Sequence, residues 1–167
     1  MWIALLSLAT AAEPSPELQA CLGGDFAIAS SAAQYQATVD QAVAGYLEPM
    51  NFAIRMFAED RLTDAAMPCL GYKFTADGST FTVQCDAEPR VEASINGAQG
   101  SYTNAEGKVF KVTFAAQGDE ASLTFKGEEA DQTTRYRCSG DALTVTREIL
   151  PHSLGEILRV SYGYQKK

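Results

Sequence analysis

The stretch FKVTF at residues 110–114 alternates apolar and polar side chains, which is the pattern of a β-strand with one buried face. Similar runs recur from Cys69 to Tyr164, and most of them end at a turn signal such as Asn96-Gly97. Strands at a spacing of about 8–12 residues with tight turns predict an antiparallel meander. We therefore expect a mainly β fold in which an antiparallel meander of about eight strands closes into a barrel that can enclose a cavity.

Helices are expected ahead of the sheet. From Ser31 the apolar residues recur at three- and four-residue spacing, and Pro49 separates two such stretches. The length of 167 residues suits one core. We predict a signal peptide at 1–12, a lead-in segment at 13–30, a helical pair at 31–66 and the antiparallel barrel at 67–167. Residues 31–167 are expected to form one domain.

The first twelve residues resemble an export signal. Residues 2–8 are mostly apolar and are followed by small residues, so cleavage is expected near Ala11 or Ala12. The run is too short to span a bilayer, and no transmembrane segment is predicted. We expect an exported protein, periplasmic or secreted; the alternative is an apolar tail that packs on the domain. A lipid anchor on Cys21 is not favoured, because two acids and two prolines at 13–17 interrupt the apolar run.

The chain has four cysteines, and an even count behind an export signal predicts two disulfides. Three pairings are possible. We favour Cys69 with Cys85, which flank a predicted hairpin, and Cys21 with Cys138, which would tie the N-terminal segment to the sheet. No C-x-x-C pair occurs and His152 is the only histidine, so no metal site is predicted.

Charge and motifs exclude several functions. The net charge of −8 argues against nucleic acid as a partner, because phosphates require a basic surface. No G-x-S-x-G occurs, and the only histidine that could act as a general base is His152. The acidic turn at 128–131 lacks a recognisable calcium loop. We expect a protein that is not an enzyme and uses no cofactor, and the sequence names no protein partner.

Many aromatic side chains lie on the predicted inward faces. Such rings either fill a solid core or line a pocket for an apolar molecule, and barrels of about eight strands do either. Buried phenols would also need hydrogen-bond partners, which a polar head group or water could supply. The residues assigned to this pocket are Tyr72, Tyr136, Tyr162, Phe110, Phe114 and Phe125.

Arg147 is a charged residue in phase with an inward face, between Val145 and Ile149. A buried guanidinium is costly unless an acceptor meets it. One hypothesis is that Arg147 binds the carboxylate of a fatty-acid-like ligand as a bidentate pair. The alternative is that Arg147 lies near the strand end at Pro151 and reaches water.

The chain resembles the calycins, a superfamily that includes the lipocalins, and most closely the intracellular fatty-acid-binding barrels among them. The resemblance lies in two helices before a run of hairpins, in the segments 72–83 and 133–143, and in LRVSY at 158–162. It implies that fatty acids or similar molecules bind inside the barrel and that the helices form a lid. The lid would then carry Phe52 and Met56.

Two features of that family are not reproduced. The paired Arg and Tyr of its last strand should both face inward, whereas Arg159 and Tyr162 are three residues apart and face opposite sides. The lipocalin G-x-W is also absent. The predicted function is non-catalytic binding of a hydrophobic or amphipathic, fatty-acid-like molecule. The alternative is a solid-core envelope or secreted protein that acts as a surface interaction or inhibitor module.

Overall fold

A computed structural model describes residues 14–86 and 88–167, so the predicted signal peptide at 1–12 lies outside the described residues. The helices are α1 (Pro16–Cys21), α2 (Ala32–Leu47) and α3 (Phe52–Ala66). The first strands are β1 (Asp25–Ile28), β2 (Gly71–Asp77), β3 (Thr80–Cys85), β4 (Val91–Ser94) and β5 (Gly100–Thr103). The others are β6 (Val109–Gln117), β7 (Glu120–Lys126), β8 (Ala130–Ser139), β9 (Ala142–Pro151) and β10 (Leu158–Lys166).

All ten strands form one sheet in the order β4-β3-β2-β1-β10-β9-β8-β7-β6-β5, and every pair of neighbours is antiparallel. The sheet curls into a nearly closed barrel whose two edge strands are β4 and β5. The mainly β class, the meander and the barrel are confirmed. The sheet has ten strands against the expected number of about eight, because β1 and the four-residue β5 have weak sequence signals.

The part of the lead-in segment that the structure describes, residues 14–30, is structured. The Ser15 side chain caps α1 by accepting from the Leu18 main-chain N–H. Strand β1 follows and pairs with β10 on one side and with β2 on the other, and its Phe26 is buried. Because β1 comes before α2 and α3, the helical pair connects β1 to β2 instead of preceding the whole sheet.

The helical pair forms where the spacing predicted it. Helix α2 begins after Ser31, whose side chain and main chain exchange hydrogen bonds with Gln34 in a capping box. Helix α3 begins after Asn51, which accepts from the Ile54 N–H. Pro49, which separates the two periodic stretches, lies in the turn between the helices and not in the first turn of α3.

The first half of α3 has little contact with the body of the protein. The predicted apolar face of this helix is not buried there: Phe52, Met56 and Phe57 are 69%, 61% and 81% exposed. The buried residues of α3 are Leu62 and Ala66, both in its second half. Only the C-terminal turns of α3 are therefore held against the barrel.

Both disulfides are present in the favoured pairing. Cys21 is bonded to Cys138 and joins α1 to β8, across 117 residues of sequence. Cys69 is bonded to Cys85 and joins the residues before β2 to the end of β3, across 16 residues. The second bridge fixes the end of the chain segment that connects α3 to the sheet.

Candidate functional site

Arg147 lies on the inner face of β9, between the buried residues Val145 and Ile149. Its Nε atom is excluded from solvent and has no hydrogen-bond partner among the described residues. The guanidinium is directed at the residues that connect α3 to β2. The side chain therefore turns inward at the connection from α3 to β2, and the binding of a ligand carboxylate by Arg147 stays a prediction.

The guanidinium contacts the stretch Ala65–Cys69, which we call the connecting segment. Nη1 donates to the carbonyl oxygen of Ala65 at 3.4 Å and to that of Met67. Nη2 lies 3.1 Å from the Cys69 sulfur and 3.5 Å from the Tyr72 hydroxyl. Arg147 takes part in none of the ion pairs found within the described residues. Arg147 is a partly buried cation with no carboxylate partner in the described part of the chain.

Two phenols of β10 bind the same segment. The Tyr162 hydroxyl donates to the carbonyl oxygen of Ala66 at 2.5 Å, and the Tyr164 hydroxyl donates to that of Cys69 at 2.8 Å. Both tyrosines are buried. Side chains of β9 and β10 therefore present a row of hydrogen-bond donors to main-chain oxygens of the connecting segment.

The rings around this row interlock. Tyr72 lies on β2 with its ring centre 5.1 Å from that of Tyr164 and 5.7 Å from that of Tyr136. Phe74 stacks on Tyr72 at 5.6 Å and meets Tyr136 edge-on at 5.2 Å. Offset and edge-to-face contacts of this kind are favourable, and here they fill the middle of the barrel.

Burial raises the pKa of the phenols in this cluster. Desolvation raises the pKa of Tyr162 to about 12, although the charge of Arg147 acts in the opposite direction. Burial also raises the pKa values of Tyr136 and Tyr164 well above the ordinary phenol value. For Arg147, burial lowers the pKa and the hydrogen bond to Tyr72 raises it, with a net rise, and the guanidinium is charged at neutral pH as arginine ordinarily is. The site is thus one permanent cation among neutral phenols.

The other predicted pocket residues lie outside this row of donors. Phe114 packs against Phe81, with ring centres 4.6 Å apart. Phe110 and Phe125 form a separate, partly buried group with Tyr102, at 6.3 Å and 5.7 Å from its ring. Phe52 and Met56, which are exposed on α3, do not reach the barrel interior. The structure brings together Arg147, Tyr72, Tyr136 and Tyr162.

Two surface clefts are present in the described part of the chain. One has a volume of about 420 Å³ and is lined by residues of β6, β7 and the turn before β8, including Phe110, Lys111 and Lys126. The other has about 160 Å³ and is lined by outward residues such as Thr133 and Glu148. Neither is lined by the Arg147 cluster. In this conformation the space beside Arg147 is occupied by the connecting segment and the rings.

Sequence reasoning missed two parts of the site. Tyr164 was assigned to the inward face of the last strand but not to the pocket, although its phase is the same as that of Tyr162. The connecting segment carries no side-chain signal, because it contributes main-chain oxygens. That the end of α3 lies beside the guanidinium of Arg147 can be recognised only once the fold is known.

The fold, a nearly closed antiparallel barrel with a helical pair between its first two strands, is similar to that of several solved structures. Lipid binding protein 8 of Caenorhabditis elegans aligns with a TM-score of 0.57 and 9% identity over 93% of this chain and 100% of that one. A secretory abundant heat soluble (SAHS) protein from Ramazzottius varieornatus aligns with a TM-score of 0.56 and 12% identity, over 86% and 93%.

A third structure is the fatty acid transporter REP1-NXSQ, with a TM-score of 0.54 and 16% identity over 89% of this chain and 97% of that one. At these identities the similarity establishes the fold. No protein-family model matches the sequence, and no curated protein sequence matches it.

Proposed function

We propose that this protein binds a hydrophobic or amphipathic small molecule with an anionic head group, such as a fatty acid, inside the barrel and without catalysis. The observation that carries the proposal is the inward, partly buried guanidinium of Arg147, which has no carboxylate partner among the described residues and an unpaired, solvent-excluded Nε–H. A partly desolvated charge without a counter-charge costs stability, and a bound anion would offset that cost. A carboxylate would supply both the charge and the missing acceptor.

The surroundings of Arg147 suit the rest of such a ligand. The Tyr162 and Tyr164 hydroxyls are donors beside the guanidinium, and they remain protonated at neutral pH because burial raises their pKa values. The aromatic rings of Phe74 and Tyr136 offer apolar surface for a hydrocarbon tail. Two of the similar structures are described as a lipid binding protein and a fatty acid transporter, which supports the same ligand class.

A second candidate is a surface interaction or inhibitor module with a solid core. It is favoured by the interlocked rings that fill the barrel and by the exposed Phe52, Met56 and Phe57 on α3. Under this reading Arg147 serves only to bind the end of α3. The two candidates differ in whether small amphipathic molecules enter the interior.

Two disulfides indicate that the protein folds in an oxidising compartment. Within the described residues no helix is long and apolar enough to cross a bilayer. We propose export to the periplasm or outside the cell, directed by residues 1–12. The mass of the protein recovered from its own compartment tests this: loss of about a dozen N-terminal residues supports it, and an intact N-terminus contradicts it.

The ligand proposal is tested with the disulfide-intact protein by native mass spectrometry and by NMR titration with octanoate. We expect bound acyl molecules or a saturable complex in the mass spectrum. In the NMR titration, chemical-shift changes are expected for residues of β9 and β10 and for Tyr72. If neither octanoate nor a fluorescent fatty-acid probe binds, and no lipid co-purifies, ligand carriage is wrong and the surface role remains.

A further inference from the structure

The connecting segment occupies the place where the head group of the proposed ligand would bind. Arg147 Nη1 donates to the oxygens of Ala65 and Met67, Tyr162 to that of Ala66, and Tyr164 to that of Cys69. All of these partners are main-chain oxygens from one short stretch. A carboxylate offers the same kind of acceptor with a full negative charge.

The C-terminal end of α3 carries a partial negative charge. The last carbonyl groups of a helix have no partner within the helix, and the aligned peptide dipoles place about half a negative charge at this end. In α3 the oxygens of Thr63 and Asp64 accept from the Met67 N–H. Those of Ala65 and Ala66 are left for Arg147 and Tyr162. The helix end thus stands in for an anion beside the guanidinium.

We propose that the connecting segment is an internal competitor for the head-group site, and that an anionic ligand binds by displacing its α3 end from Arg147 and Tyr162, while the bond of Tyr164 to Cys69 is kept. The inference rests on the proposed function. A carboxylate carries a full negative charge and can bind a guanidinium with two parallel hydrogen bonds, whereas the helix end offers about half a charge and separate main-chain oxygens. A carboxylate therefore has an advantage over the partial charge of the helix end.

The structure shows which side of the segment is free to move. Its far end is fixed by the Cys69–Cys85 bridge, and the Asp86 carboxylate accepts from the Leu70 and Gly71 N–H groups just beyond it. Its near end continues into α3, which buries few side chains. Displacement would therefore shift the C-terminal turn of α3 away from the barrel, with Cys69 as the fixed point.

If the connecting segment competes with the ligand, a variant in which α3 is held less firmly on the barrel should bind the ligand more tightly. Leu62 is a buried residue of α3, 5% exposed. The variant Leu62→Ala leaves every donor of the site in place but weakens the attachment of the helix, so a larger fraction of the protein is open to ligand. We expect its affinity for octanoate to rise by about tenfold. Phe57→Ala is the matched control on an exposed position of the same helix and should leave the affinity unchanged.

Hydrogen exchange of the wild-type protein gives a second readout that does not depend on the folding of a variant. With octanoate bound, the amides at 62–67 should exchange faster, while those of β9 and β10 exchange more slowly. Most ligands slow exchange throughout their site, so the two opposite changes are diagnostic. If octanoate binds but exchange at 62–67 falls or stays the same, or if Leu62→Ala binds no more tightly, the competition is wrong and ligand carriage stands. If neither protein binds octanoate, the proposed function itself is wrong.

Discussion

The Tyr164 hydroxyl donates a 2.8 Å hydrogen bond to the carbonyl oxygen of Cys69, so the last strand and the connection from α3 to the sheet are joined at one buried point. The partners are 95 residues apart in sequence. This bond, with those of Arg147 and Tyr162, explains how a helix with little buried surface is held on the barrel.

Removal of that hydroxyl should destabilise the protein. In Tyr164→Phe the Cys69 oxygen loses its donor in a buried setting, which costs about 1 to 3 kcal/mol of unfolding free energy. Urea denaturation of the variant and of the wild-type protein measures this loss of unfolding free energy. The control is Tyr102→Phe, whose hydroxyl makes no hydrogen bond to a described residue and whose loss should cost little. Equal stability of the two variants would contradict the assigned bond.

Gly127 lies where the Phe110 ring crosses the backbone. A Cβ added there would be 2.8 Å from the ring and 2.9 Å from the Ala130 oxygen. Gly127→Ala should therefore lose about 1 to 3 kcal/mol. Gly163→Ala is the matched control, because a Cβ at that position meets nothing within 4 Å. Thermal unfolding compares the two; a loss at Gly163 as large as at Gly127 contradicts the close packing.

The two disulfides should differ in their contribution to stability. The Cys21–Cys138 bridge closes a loop of 117 residues and the Cys69–Cys85 bridge one of 16. The chain-entropy model gives about 5 and about 3 kcal/mol for loops of these sizes. Paired alanine variants, unfolded in denaturant, should show the greater loss for the long loop. A greater loss for the short loop would mean that native-state contacts, not chain entropy, dominate.

Alkaline pH should destabilise the fold through its buried phenols. The pKa of Tyr162 is about 12 in the folded protein, whereas an unfolded tyrosine titrates near pH 10. Above about pH 10 Tyr162 has lost its proton in the unfolded chain but keeps it in the folded chain. The free energy of unfolding is therefore not reduced by this group below that pH, and it falls as the pH rises towards 12. The fall is at most about 1.4 kcal/mol per pH unit for each such group.

Denaturation at increasing pH, followed by tyrosinate absorbance, measures this slope. Tyr162→Phe removes one of the groups and should reduce the slope. Tyr136 and Tyr164 contribute in the same direction, because burial raises their pKa values as well. A slope that Tyr162→Phe leaves unchanged would contradict the burial of that phenol.

The sequence predicted the barrel because strand alternation is a local signal. The run at 110–114 shows its buried face directly, and the predicted phase placed Arg147 on the inner face of its strand. Strand β1 was not predicted, since four residues without turn signals become a strand only by pairing with β2 and β10. The same limit applies to β5.

The exposure of the first half of α3 and the main-chain partners of Arg147 could not be predicted from the sequence, for one physical reason. Periodicity in α3 identifies an apolar stripe but not which turns have a partner, and Phe57 proved to be 81% exposed. The partners of Arg147 were equally hidden, because main-chain oxygens of Ala65 and Met67 lie about 80 residues earlier and carry no residue-type signature. Long-range contacts of the backbone must be read from the fold.

The central claim is that Arg147 binds an anionic head group, and calorimetric titration with octanoate and octanol tests it most directly. The wild-type protein should prefer octanoate, and Arg147→Leu should lower octanoate affinity by about tenfold to a hundredfold, as expected for a charge-assisted bond, while octanol affinity does not fall. Arg159→Leu, on the outer face of β10, is the control and should change neither. Equal losses for octanoate and octanol in Arg147→Leu would contradict the claim.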